Sequence, residues 1–325
     1  MKTHSLVRMA VLALLWGSGF LWIKVALNGG LGPVQITVIR CALGAGVLTV
    51  LALIARQRFP RGRRIWGHLV VAAFFCNAVP FALFAIGEQT VDSGVAGVLN
   101  ATTPLWSLLI GVGMGTERGI RPVRVAGLTL GFAGTLLIFA PWQEAGLASW
   151  GALALLLAAV SYAVAFAYMG RKLVDSGTGP VAVSAAQLLT ATGLSAVALP
   201  AGGLSWTGIT PTALAAVAVL GVFGTGVTFY LNYRIIAEEG ATSAATVGYL
   251  LPVVSVALGA IVLDEGLSAR VLAGMAVVLL GVGLTRLKRP APTDRIRPPV
   301  DGTGPTPAPR AAEPRSARLP SGLRG

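Results

Sequence analysis

The sequence predicts an all-α polytopic membrane protein: ten transmembrane helices in two inverted five-helix repeats, N-in and C-in. Three observations carry that expectation. First, hydrophobic residues make up 55% of the 325 residues and charged residues 11%, with a mean hydropathy of +0.77. Soluble domains carry about 25% charged residues, so this chain cannot cover a globular surface with polar groups. Second, the apolar residues fall into ten runs of about the 20-residue length that a ~30 Å bilayer core requires. Third, the first five runs and the last five carry the same landmarks in the same order.

The runs are 6–27, 33–55, 66–87, 92–114, 122–140, 149–169, 180–200, 211–233, 241–263 and 269–287. The first follows Lys2 and Arg8, the polarity of a signal peptide, but it is too long for one and shows no small-residue cleavage site. Gly32–Pro33 opens the second run and Gly179–Pro180 the seventh. Pro80, Pro104 and Pro252 fall inside the third, fourth and ninth runs, where each removes a helix hydrogen bond and predicts a kink. Gly111, Gly113 and Gly115 in the fourth run, Gly127 and Gly131 in the fifth, and Gly221, Gly224 and Gly226 in the eighth permit close helix packing. Cys41 and Cys76, the two cysteines, lie within runs and form neither a disulfide framework nor a metal knuckle.

Basic residues set the orientation. With the N-terminus inside, the inner loops hold Arg56–Arg64, then Arg118, Arg121 and Arg124, then Arg171 and Lys172, then Arg286, Lys288 and Arg289. The outer side keeps only Lys24 and Arg270. The formal charge of +13 therefore reflects membrane topology, and no nucleic-acid partner is expected. Arg outnumbers Lys, and Ala and Gly are abundant, as in high-GC bacterial chains; the expected place is the bacterial cytoplasmic (inner) membrane. Residues 288–325 are rich in Pro, Gly, Ser and Arg, and are expected to be a disordered cytoplasmic tail. Contact with anionic lipid and plain solvation both fit it.

The halves repeat. Glu117 follows Pro104 by thirteen residues, and Glu265 follows Pro252 by thirteen. An offset of 148 carries Val79–Phe81 onto Val227–Phe229, and 147 carries Gly32–Pro33 onto Gly179–Pro180, Lys24 onto Arg171 and Gly134 onto Gly281. Five helices per half reverse the direction in which the second half enters the membrane. Such repeats are common in secondary transporters, which rock around a site at mid-depth. A duplication kept for packing, a lipid-modifying membrane enzyme and a channel are the alternatives. No HExxH, GxSxG, P-loop or paired aspartates occur, so no enzyme, metal or cofactor is expected.

With these motifs in view, the chain resembles the EamA branch of the drug/metabolite transporter superfamily over about residues 5–287. The resemblance is carried by WGSGF at 16–20, GPVQITVIRCALG at 32–44, the paired proline–glutamate endings, GLTLGFAGTLLI at 127–138 and GMAVVLLGVGL at 274–284. It implies two fused units, 1–140 and 149–287, and solute translocation without naming a substrate. The expected partners are a small-molecule solute and membrane lipid, and monomer and homodimer are both open.

Polar residues inside apolar runs are the site candidates. Arg40 stands seven residues after Pro33, about 10 Å into the membrane at 1.5 Å per residue. It is either an anchor for a carboxylate or phosphate, or a side chain that snorkels to the outer interface or packs against carbonyls at a helix end. Trp16, Ser18, Asn77, Asn100, Thr103, Trp106, Tyr162, Gln187, Tyr230, Asn232, Tyr249 and Ser255 complete the set; amides in hydrocarbon must find partners. No Asp or Glu falls deep in a run: Glu88 and Asp92 flank an outer loop, Glu144 lies in a loop, and Glu238 and Glu239 sit at a helix junction. The site is thus expected to be neutral to positive and to favour an anionic or zwitterionic solute such as an amino acid, with efflux of toxic compounds as the alternative. His68 is expected at an interface. Glu117, Glu265, Pro104, Pro252 and Glu88 are expected in structural or gate-closing roles.

Overall fold

The computed structural model describes residues 3–91, 93–115, 122–140, 142, 149–174, 176–202, 205–254 and 268–285. Glu117, Glu265, Asp92, Glu144, Ser255 and the tail lie outside them. The described chain is all helical, in ten rods. Rod α1 runs Thr3–Gly17 and, past a bend at Ser18, Gly19–Asn28; α2 is Pro33–Ile54. Rod α3 is Arg63–Gly87 and α4 is Ser93–Asn100 followed by Thr103–Gly113. Then come α5 (Pro122–Phe139), α6 (Trp150–Lys172) and α7 (Pro180–Ala196). The last three are α8 (Pro211–Glu239), α9 (Ala241–Val254) and α10 (Ala269–Thr285). Seven of the described rods are long and apolar enough to cross a membrane; α7, α9 and α10 are shorter.

The rods are interrupted where proline chemistry requires it. A proline removes the bond to the carbonyl four residues earlier and clashes with it. The position four before Pro80 is Cys76, inside a π-helical turn at Phe74–Ala78. Four before Pro104 is Asn100, where α4 breaks; four before Pro252 is Gly248, inside a 3₁₀ turn at Thr246–Tyr249. Rod α8 has a π-helical turn at Val222–Val227 without a proline. There Thr228 Oγ1 donates to the Gly224 carbonyl four residues back, at 2.8 Å.

Contacts between rod ends give the bundle its alternation. At one end, Arg8 near the start of α1 meets Glu238 near the end of α8 at 2.5 Å. There the Ala182 amide at the start of α7 donates to Gln57 Oε1 past the end of α2 at 3.1 Å. His68 early in α3 bonds Tyr168 late in α6 at 2.7 Å. At the other end, Lys24 Nζ donates to the Glu88 carbonyl at 2.8 Å, and Gln35 Nε2 to the Ser205 carbonyl at 2.7 Å. Rods α2 and α7 are therefore antiparallel.

Rods α5 and α10 pack antiparallel as well, glycine to glycine. A Cβ added at Gly127 would lie 2.8 Å from the Gly281 carbonyl oxygen, and one at Gly134 2.8 Å from that of Gly274. Position 127 plus 147 is 274, and 134 plus 147 is 281, so each glycine meets the counterpart of the other. This seam shares a buried cluster with Leu108 of α4 and Tyr249 of α9. Two further clusters fill the space among α1–α4 and α6–α9. Large apolar side chains cover the outside, with Ile54 73% and Val197 80% exposed, a surface suited to lipid.

Candidate solute site

The cavity at the centre of the described bundle takes its walls from α1, α2, α3, α4, α6, α8 and α9. Trp16, Gly19, Phe20, Ile23, Arg40, Phe84, Asn100, Thr103, Tyr162, Phe166, Gly224, Ala245, Gly248 and Leu251 line it. Its volume is about 60 Å³, room for about two waters at ~30 Å³ each. Five aromatic rings run around it in an unbroken chain. Trp16 stacks on Phe166 at 6.4 Å, Phe166 meets Tyr162 at 5.9 Å, Tyr162 meets Phe84 at 6.0 Å, and Phe84 meets Phe20 at 5.7 Å. Ring centroids 4.5–7 Å apart are in the attractive range, so the rings brace one another as well as the cavity.

Arg40 is the one charged side chain among the described lining residues. It is 6% exposed, so it does not snorkel. Its Nε donates to Thr225 Oγ1 at 3.1 Å, and its Cζ stands 3.6 Å from the centroid of Phe81. Thr225 is free to accept because its own proton goes to the Leu220 carbonyl, five residues back in the π-helical turn, at 2.9 Å. A guanidinium has five N–H groups, and one of them is used here. Among the described residues the terminal nitrogens make no hydrogen bond, which leaves a planar fork at the cavity wall. Such a fork binds a carboxylate or phosphate in bidentate fashion.

Glu88 follows the end of α3, as its place in the sequence suggests, but it is completely buried rather than beside an open loop. One residue before it α3 and α6 approach closely, where a Cβ at Gly87 would lie 2.9 Å from the Gly151 carbonyl oxygen. Glu88 is near enough to act electrostatically on Arg40, as is the Tyr162 phenol.

Of the residues singled out in the sequence, the fold gathers Trp16, Arg40, Asn100, Thr103 and Tyr162 around the cavity. Asn100 and Thr103 flank the break in α4, where Thr103 Oγ1 donates to the Asn100 carbonyl at 2.7 Å. Ser18 lies at the bend of α1 and donates to the Leu15 carbonyl at 3.1 Å. Asn77 and Gln187 bond each other away from the cavity. Asn232 is fully buried, and neither of its amide atoms is paired among the described residues. Tyr230 meets Arg234 near the end of α8, and Tyr249 is buried against Gly131 in the α5–α10 cluster. Pro104 and Pro252 are buried within α4 and α9. Phe20, Phe84, Phe166 and Thr225 were not singled out. For Thr225 a signal exists, because position 77 plus 148 is 225.

Comparison with known proteins follows the same outline. The profile of the EamA-like transporter family matches twice, at residues 5–140 and 149–287. An uncharacterized transporter of Archaeoglobus fulgidus is 27% identical over 290 residues, 86% of this chain and 98% of its own. The uncharacterized inner membrane transporter YedA of Escherichia coli K12 is 26% identical over 279 residues, covering 85% and 88%. A solved crystal structure at 21% identity superposes with a TM-score of 0.72 over 88% of this chain and 99% of its own, a likeness of fold. Two family matches that together cover most of the chain, on an all-helical bundle with seven rods long and apolar enough to cross a membrane, show that this chain belongs to the EamA-like transporter family.

Proposed function

We propose that this transporter is a secondary carrier that exports a small carboxylate-bearing metabolite, an amino acid or a related zwitterion or anion. It works across the bacterial cytoplasmic membrane by alternating access between two inverted halves. The observation that carries the reading is Arg40: a buried cation at the cavity wall whose terminal N–H groups have no acceptor among the described residues. The aromatic chain beside it favours a solute with an apolar body behind its acidic head. Among the described residues no carboxylate lines the cavity, which argues against a lipophilic cation as cargo.

The reciprocal α5–α10 packing and the antiparallel α2–α7 pair support the inverted arrangement. The arginines of 56–64 favour placing the end that holds Arg8 and Glu238 in the cytoplasm. The relative named as an inner membrane transporter supports the location.

The test is a thermal-shift screen of the purified protein against amino acids, organic acids, nucleosides and lipophilic cations, followed by counterflow in proteoliposomes. Stabilisation by a carboxylate-bearing compound, with saturable counterflow of the same compound, is the expected result. Stabilisation by cations alone, or flux that neither saturates nor shows counterflow, would overturn it.

A further inference from the structure

Two contacts at the centre of the bundle are one contact made twice. Position 40 plus 147 is 187, and position 77 plus 148 is 225. Arg40 Nε donates to Thr225 Oγ1 at 3.1 Å, and Gln187 Nε2 donates to Asn77 Oδ1 at 2.9 Å. Both acceptors lie in π-helical turns, Phe74–Ala78 and Val222–Val227, which share the 148 offset at their first residues. Phe81 meets its own counterpart, Phe229, edge to face at 6.0 Å. Each half thus supplies a donor from its second rod to a π-helical turn in the third rod of the other half.

The two copies differ in what they leave unused. Arg40 opens on the cavity, whereas Asn77 and Gln187 are fully buried and do not line it. Among the described residues Asn77 Nδ2 and Gln187 Oε1 have no hydrogen-bond partner. The Cys76 thiol beside Gln187 is a weak donor, and Met169 Sδ, 3.9 Å from Gln187 Nε2, a weak acceptor. Exchanging N and O in both amides reverses the bond and again leaves one spare donor and one spare acceptor. Buried groups left this way destabilise the fold. Retaining both is explained by a second state that uses them.

We propose that Asn77 and Gln187 form a second, latent subsite of the carrier. When the halves exchange conformations and the cavity opens to the opposite face, this pair takes the position that Arg40 and Thr225 hold here. Its spare donor and acceptor then bind a neutral group that both gives and takes a hydrogen bond, a hydroxyl or a carboxamide of the solute. The inference rests on the inverted-repeat carrier reading. It adds that the two faces offer the solute different chemistry, a cation from one side and an amide pair from the other.

The test uses single-cysteine variants in a full-length chain carrying Cys41→Ala and Cys76→Ala. The probe is a charged, membrane-impermeant methanethiosulfonate, added to right-side-out and to inside-out vesicles. Thr103→Cys reports the cavity itself. Arg40→Cys and Gln187→Cys report the two pseudo-equivalent positions, and Asn77→Cys replaces Gln187→Cys if that variant does not fold. The expected result is that Thr103→Cys reacts, and that Arg40→Cys and Gln187→Cys each react at least tenfold faster from one face, the faces being opposite. If Thr103→Cys reacts while positions 187 and 77 react from neither face, the latent subsite is overturned and the carrier reading stands. Reaction of positions 187 and 40 from the same face also overturns it. A Thr103→Cys that never reacts would remove the cavity reading and the subsite with it.

Discussion

Replacing Gly281 with alanine tests the seam between α5 and α10 with an internal control two residues away. A Cβ at position 281 would lie 2.4 Å from the Gly131 amide nitrogen and 2.7 Å from the Gly127 carbonyl oxygen. Both neighbours are backbone, so no side chain can turn aside. Ordinary contact begins near 3.5 Å, so the helices must part by ~1 Å along a seam closed by glycines on both sides. Overpacking of this kind costs about 1–3 kcal/mol. Alanine also gains up to ~1 kcal/mol of helix propensity over glycine. Gly283 lies in the same helix with nothing within 4 Å of its would-be Cβ. Gly283→Ala therefore takes the propensity gain alone. In the difference between the variants propensity cancels, and Gly281→Ala should be less stable by about 1–3 kcal/mol. Unfolding in mixed micelles by SDS titration, followed by circular dichroism, measures that difference. Equal stability of the two variants would show that the helices are not in glycine contact at position 281.

Arg40→Met keeps an unbranched stem out to about the Nε position but removes the guanidinium and its charge. It loses the Thr225 bond, the Phe81 contact and the attraction of Glu88, and also the cost of burying a cation. Stability should therefore change by less than ~2 kcal/mol, while affinity for a carboxylate ligand found in the screen should fall by about 2–5 kcal/mol. Unchanged affinity by calorimetry would remove Arg40 from the site. Asn232→Leu replaces a buried amide with neither atom paired among the described residues, and is expected to hold or raise the unfolding free energy by up to ~2 kcal/mol; a clear loss would reveal a partner used in the folded state. Glu238→Gln breaks the pairs with Arg8 and Arg234. Because that carboxylate is 42% exposed, the loss should stay below about 1 kcal/mol; a larger one would make the cluster a main fastening of the α1 and α8 ends.

Much of this architecture could be read from the chain. Rod number and approximate limits follow from apolar length, because backbone groups in hydrocarbon must be satisfied within a helix. The irregular turns in α3, α4 and α9 include the position four before a proline, as the missing hydrogen bond requires. The paired glycines of α5 and α10 are visible as a 147-residue repeat. The sequence also singles out Arg40, Trp16, Asn100, Thr103 and Tyr162, since polar and aromatic groups stand out against an apolar background.

The selection among candidates was left to tertiary structure. Period and spacing set which residues share a rod, but not which face of a rod meets a cavity, a neighbouring helix or lipid. Asn77 and Gln187 carry the same amide chemistry as Asn100, yet they pair across the two halves and leave the cavity wall to Phe20, Phe84 and Phe166. Glu88 has the sequence context of a loop carboxylate and is nevertheless fully buried, a result of packing between rods that its neighbours in sequence do not announce. Arg40 had three physical outcomes open to it: the interface, the carbonyls of a helix end, or the interior. A threonine 185 residues away and the face of Phe81 decided for the interior. Such pairings depend on how ten rods pack, a cooperative property of the whole bundle that no local stretch of sequence encodes.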